Sequence, residues 1–207
     1  MKKLLWLVLA VSWLAGCSSS PTKTTPAEAP KPEGPQLETG RAAFQKLYVS
    51  ARGWARDAQP FRLESVPNSD SNGRDGKSAI WRAGFASPAT RGAKPFIWSG
   101  TDAKDAPPRG MNPGTEDTYN PSNASTAVFD INYLKTDSDK AFEIAQQHGG
   151  EKLLQKSPET PVLYILEWNH VENMLVWHVI YGNSRDDFKL KIAVNATIGE
   201  YVRVEKS

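Results

Sequence analysis

Cysteine is nearly absent: Cys17 is the only one among 207 residues. A lone cysteine closes no bridge within the chain and builds no Cys-rich metal site. Histidine is scarce as well. His148, His170 and His178 fall in separate segments with no His-x-x-x-His spacing. A zinc site needs three or four converging ligands, so neither metal nor cofactor is expected. Asp70–Gly76 looks at first like a calcium loop. Arg74 takes a ligand position there and no glutamate follows at the right distance, so a polar hairpin loop is predicted instead. No Gly-x-Ser-x-Gly, phosphate-binding glycine loop or Ser/His/Asp grouping appears, and the chain is read as non-enzymatic. An excess of one charge is missing too. Of the 25 basic residues, Lys2 and Lys3 belong to the expected leader, leaving 23 against 23 acidic ones. That balance gives no electrostatic reason to expect nucleic acid as a partner.

Long apolar runs are also lacking. Leu4–Ala15 contains only Ser12 as a polar residue, but it is short of the about 20 residues that cross a bilayer. With Met1-Lys2-Lys3 before it and small residues after it, the run reads as a secretory signal. Leu14-Ala15-Gly16-Cys17 resembles the bacterial lipobox: an aliphatic residue, two small residues, then cysteine. The resemblance implies lipid transfer to Cys17, cleavage after Gly16 and acylation of the new N-terminus. Several acyl chains anchor stably where one does not. Cys17 would then be a thioether, and the mature chain would hold no thiol. Ser18 stands where aspartate often signals inner-membrane retention, so the expected location is the cell envelope, on the outer membrane facing the periplasm. Residues 18–38, SSSPTKTTPAEAPKPEGPQLE, carry five prolines and one large apolar side chain, Leu37. Such composition does not fold by itself, and it predicts a tether reaching at most roughly 60 Å.

From Thr39 the pattern changes. Ala43, Leu47, Ala51, Trp54 and Ala55 recur at helical spacing up to Pro60. Strand-like runs follow at 61–66, 78–87 and 95–99. The order then returns: a helix capped by Asp137 or Ser138, carrying Ala141, Ile144, Ala145 and His148 and closed at Gly149-Gly150. Leu153 and Leu154 continue a further turn. Strand-like runs come next at 162–168, 174–182, 188–195 and 200–204. At an offset of 96, Ala79–Phe85 falls on Leu175–Tyr181; at 98, Ala43-Phe44 falls on Ala141-Phe142. The reading is an α+β protein of two tandem repeats, each a helix packed on an antiparallel meander. Its segments are a signal peptide (1–16), a lipid-anchored tether (17–38), a first repeat (39–100), a Pro/Gly-rich linker (101–127) and a second repeat (128–207). The linker serves as a spacer or packing strap, or as a lid tipped by Gly110–Gly114.

The second repeat resembles the PepSY family, and through it a cystatin-like helix on a curved sheet. The resemblance rests on Thr136–Phe142, Val176–Tyr181 and the closing hairpin Ile192–Val202. In that hairpin Asn195 replaces the usual aspartate, while Gly199-Glu200 match. Asn195 can fold its side chain onto the turn backbone, and Gly199 can take positive φ. The resemblance implies a secreted or membrane-linked module that binds or inhibits peptidases, or serves as an accessory domain.

Alternation places Leu175, Trp177, Val179 and Tyr181 on one face of their strand, with Val176, His178 and Ile180 on the other. In the first half Arg82 matches His178, and Lys191 lies on the neighbouring strand. The second face is either covered by the other repeat or is an open surface centred on Arg82, His178 and Lys191. The functional expectation is a non-catalytic binding or peptidase-inhibitory module. It would be held to the membrane through Cys17 and face a peptidase or another envelope protein. A structural accessory subunit of an envelope complex is the alternative.

Overall fold

Thr39 begins the first helix by accepting a hydrogen bond from Ala42 N. The computed structural model describes residues 34–205; Gly16, Cys17 and most of the expected tether lie outside them. Helix α1 spans Gly40–Trp54 and buries Ala43, Phe44, Leu47 and Ala51, the stripe that the three-and-four spacing predicts. It stops at Ala55, where the backbone becomes extended. Pro60 lies beyond it in β2 (Gln59–Ser65), beside an irregularity in the pairing with the strand Ile80–Ser87, a position where its missing N–H is tolerated. Helix α2 (Ser138–Ala145) kinks at His148–Gly149 and resumes as α3 (Glu151–Lys156).

The strands are β1 (Glu38–Thr39), β2, β3 (Lys77–Ser78), β4 (Ile80–Ser87), β5 (Gly92–Ser99), β6 (Gly110–Pro113), β7 (Asp117–Thr118), β8 (Val162–Asn169), β9 (Met174–Gly182), β10 (Phe188–Asn195) and β11 (Tyr201–Glu205). Among the described residues one antiparallel sheet runs β11-β10-β9-β8-β2-β4-β5-β6, with β7 also on β5 and a small β1–β3 pair apart. Residues 101–127 therefore extend the sheet through β6 and β7. Gln36 N donates to Gly100 O at 2.8 Å and Glu38 pairs with Ser78, so these two residues of the expected tether lie against the folded body. The closing turn has the predicted chemistry: Asn195 Oδ1 accepts from Thr197 N at 2.8 Å, and Gly199 has φ of +69°.

The two halves do not cover each other's second face. They join edge to edge through β2 and β8, with Leu63 opposite Leu166 and Glu64 opposite Ile165. Trp81 pairs with Ser65 on β2, and Trp177 pairs with Leu166 on β8. Superposing the tryptophans therefore superposes Ser65 on Leu166 and Leu63 on Tyr164. The pair Leu63–Leu166 then becomes Tyr164–Ser65, and Tyr164 N does donate to Ser65 Oγ at 3.0 Å. The strands around this seam are related by a local two-fold axis through the Glu64–Ile165 pair.

Trp81, Tyr164 and Trp177 point to the helix side of the seam. Trp81 and Trp177 meet edge-on with centroids 6.3 Å apart, and Tyr164 touches both. Each indole N–H donates at 2.9 Å to a carbonyl just before a helix, Trp81 to Glu38 O and Trp177 to Thr136 O. Buried indoles need such partners. The helix starts are tied to each other as well. Asp137 caps α2 by accepting from Ser138 N, and it also accepts from Arg41 N at 2.8 Å and Thr39 Oγ1 at 2.7 Å. Ser138 Oγ accepts from Gly40 N at 2.7 Å. Gly40 packs on the tryptophans so closely that a Cβ there would lie 2.6 Å from Trp177 Cη2. Only glycine brings the first turn of α1 that near.

Candidate binding face

With α1, α2 and α3 on one side, the other side of the sheet is built from the alternate residues of each strand. A row across it runs Arg203, Ala193, His178, Ile165, Glu64, Arg82, Ile97, Asn112, each paired with the next. The expected residues Arg82 and His178 thus share one row, three strands or about 14 Å apart, and Lys191 lies two residues along β10 from Ala193, the partner of His178.

Their environments differ. Arg82 is exposed and donates from Nε to Glu64 Oε1 at 2.5 Å. Lys191 is paired with Glu205 at 2.7 Å and lies over the Phe188 ring. His178 is only 7% exposed. Expected as part of an open surface, it instead belongs to the interior of this layer, because β8 and β10 flank it and Leu163, Ile165 and Ile180 pack nearby. Its Nδ1 has no hydrogen-bond partner among the described residues, and its Nε2 is 3.6 Å from Glu167 Oε1. Burial pushes the imidazole pKa down to about 4; Glu167 opposes the shift, while Arg185 and Lys191 add to it.

Four groups absent from the sequence-based site complete the face. Glu167 accepts from Arg62 Nη2 at 3.1 Å and Arg185 Nη1 at 3.0 Å, and Arg185 Nη2 reaches its other oxygen. Burial raises its carboxyl pKa, but Arg185 above all, with His178 and Arg62, brings it below the ordinary value. Glu64 holds Arg82. The alternating Arg62 and Glu64 on β2 were the available signal. Arg185 reaches in from the β9–β10 loop, where no periodicity exists.

Two shallow hollows adjoin at Phe61 and Arg62. One, of about 250 Å³, is lined by Phe61, Gly84, Pro95 and Ile97 together with Arg62, Glu64 and Arg82. The other, of about 410 Å³, lies between Arg62, Trp168, Arg185 and the segment 124–127. Phe61 lies flat on Gly84, whose Cβ would come within 2.3 Å of the ring. Among the described residues no group of three His, Cys, Asp or Glu side chains is placed to hold a metal ion. No helix among them is long and apolar enough to cross a membrane.

No family model matches the chain, and no curated protein matches it. A solved structure does: the 1.85 Å crystal structure of a candidate lipoprotein from Clostridium difficile 630. The likeness covers 80% of this chain and 93% of that one, with a TM-score of 0.54 at 11% identity. At that identity the likeness is one of fold: an α+β protein with helices on one face of an antiparallel sheet.

Proposed function

We propose that this chain is a lipid-anchored envelope protein that binds a partner through the helix-free face of its sheet, without catalysis. Leu14-Ala15-Gly16-Cys17 followed by a Pro-rich stretch supports the anchor. The twin tryptophans, each bonded to the carbonyl before a helix start, support reading the halves as a repeat. The cap at Asp137 and the Asn195–Gly199 turn support the PepSY-like reading of the second half. One observation carries the binding role: an apolar hollow edged by Arg62 and Arg82 lies on the sheet face across β2, β4 and β5, next to a more polar one at Arg62 and Arg185.

Two arms test this. Cys17→Ala is expected to lose incorporation of a tagged fatty acid and to leave the membrane fraction; full retention of either by the variant overturns the anchor. A photoreactive residue at Ile97, on the proposed face, is expected to cross-link one discrete partner in cells. The same group at Val49, 72% exposed on α1, is expected not to. Equal yields from both positions, or none from Ile97, overturn the binding face.

A further inference from the structure

Past β7, which pairs with β5, the chain returns to β2, and its hydrogen bonds to the body lie only at the two ends of this crossing. Tyr119 N donates to Arg91 O at 2.7 Å, and Phe129 N donates to Pro60 O at 2.9 Å. Both residues are 4% exposed. Among the described residues, 120–128 hydrogen-bond only to one another, through the turn at Ala124–Thr126 and through Asn120 and Asn123. Residues 120–125 are all exposed. Ala124 and Ala127 border hollows of about 420 Å³ and 410 Å³, so little packing holds the turn down. Straightening it breaks a few local bonds and none to the sheet. Backbone with so few ties opens at low cost, and exposed loops of small and polar residues are where peptidases cut.

Other exposed loops are tied to something. Arg109 pairs with Asp102 at 2.8 Å in the loop after β5, and Arg185 holds the β9–β10 loop to Glu167. The composition of 120–127 also selects the kind of peptidase. No Lys or Arg lies between Arg109 and Lys135. The aromatic residues that bound the segment, Tyr119 and Phe129, are buried. The accessible bonds follow alanine, serine and threonine, side chains that suit a small S1 pocket.

A cut here would not divide the body. The halves meet through the pairs of β2 and β8, through Trp81 and Trp177, and through the bonds from the start of α1 to Asp137 and Ser138. None of these contacts involves 120–128.

We propose that residues 120–127 are a processing site for a peptidase with a small S1 pocket, and that the cut chain stays assembled as two halves. Water adds across one peptide bond, Ala124–Ser125 or Ala127–Val128. The C–N bond breaks, leaving a carboxylate on the alanine and an amine on the next residue. The second half is then held by the seam alone, without a covalent path to Cys17.

The test is limited digestion of the full chain with elastase, whose S1 pocket is small. The earliest C-terminal fragment is expected to begin at Ser125 or Val128 by N-terminal sequencing. Both fragments are expected to co-elute at the parent's position in size exclusion and to separate only in urea. Cuts in residues 18–33 shorten the N-terminal fragment and do not change this readout. Ala124→Glu/Ala127→Glu, with the parent's thermal midpoint, is expected to slow the cut at least tenfold. Should the midpoint fall, Ala124→Glu alone, at an exposed position, is expected to abolish the fragment that begins at Ser125. A first fragment beginning outside 121–128, no cut at all, or cutting of the variants at the parent's rate and position overturns the processing site. Fragments that part in native buffer overturn the assembled two-chain form.

Discussion

Replacing either seam tryptophan with alanine is expected to cost about 3–5 kcal/mol, the range for emptying a large aromatic site in a core. Trp81 and Trp177 are both fully buried, and each also supplies the donor for a carbonyl at a helix start. Tryptophan to phenylalanine keeps most of the apolar contact but leaves that carbonyl unpaired, a loss of about 1–3 kcal/mol. Because the rings touch each other and Tyr164, the double alanine variant is expected to lose less than the two single losses added together. Urea unfolding monitored at constant slope gives these values directly. A domain of this kind has only about 5–15 kcal/mol in hand, so either single change removes a large share. Losses below about 1 kcal/mol would show that the tryptophans fill space at the seam without holding the helices.

Acidification is the second large effect, and His178 sets its window. The folded-state pKa is about 4, against an ordinary value near 6.5 for histidine. The unfolded chain therefore takes up the proton first as pH falls. Stability contributed by the neutral, buried imidazole is fully present above pH 6.5 and is lost as pH falls towards 4. Between pH 6.5 and 4.5 this amounts to about 2–3 kcal/mol. The carboxyls of Glu167 and Glu205 are held below their ordinary range, so their contribution is lost lower still. His178→Leu places an apolar side chain beside Val176, Ile180 and Ile165. It is expected to flatten the stability profile across that window while keeping the fold. A variant as pH-sensitive as the parent between 6.5 and 4.5 would move the effect to another group.

Much of the helix side was legible because periodicity reports it. The spacing of Ala43, Leu47 and Ala51, and the alternation from Leu175 to Tyr181, are local patterns with local causes. The edge strands Gly110–Pro113 and Asp117–Thr118 were not legible. Proline and glycine there read as linker, and the strand exists only because β5 offers an edge to pair with. The seam was hidden for the same kind of reason. Nothing near Leu63 names Leu166, about a hundred residues away, as its neighbour. His178 and Arg82 were correctly placed on one face, since alternation fixes faces. Their burial was not readable, because it depends on which strands lie to either side and on Arg185 arriving from a loop.

The bonds from Asp137 and Ser138 into the first turn of α1 span 96 to 98 residues, and that separation bears on timing. Contacts this distant must wait for a long loop to close, which places such topologies among the slower folders. As the chain is made from its N-terminus, α1 emerges without the groups that complete its start, and β2 emerges with one edge open. Neither half can finish alone. The earlier half stays provisional until the later one arrives, and the whole body then closes at a single joint.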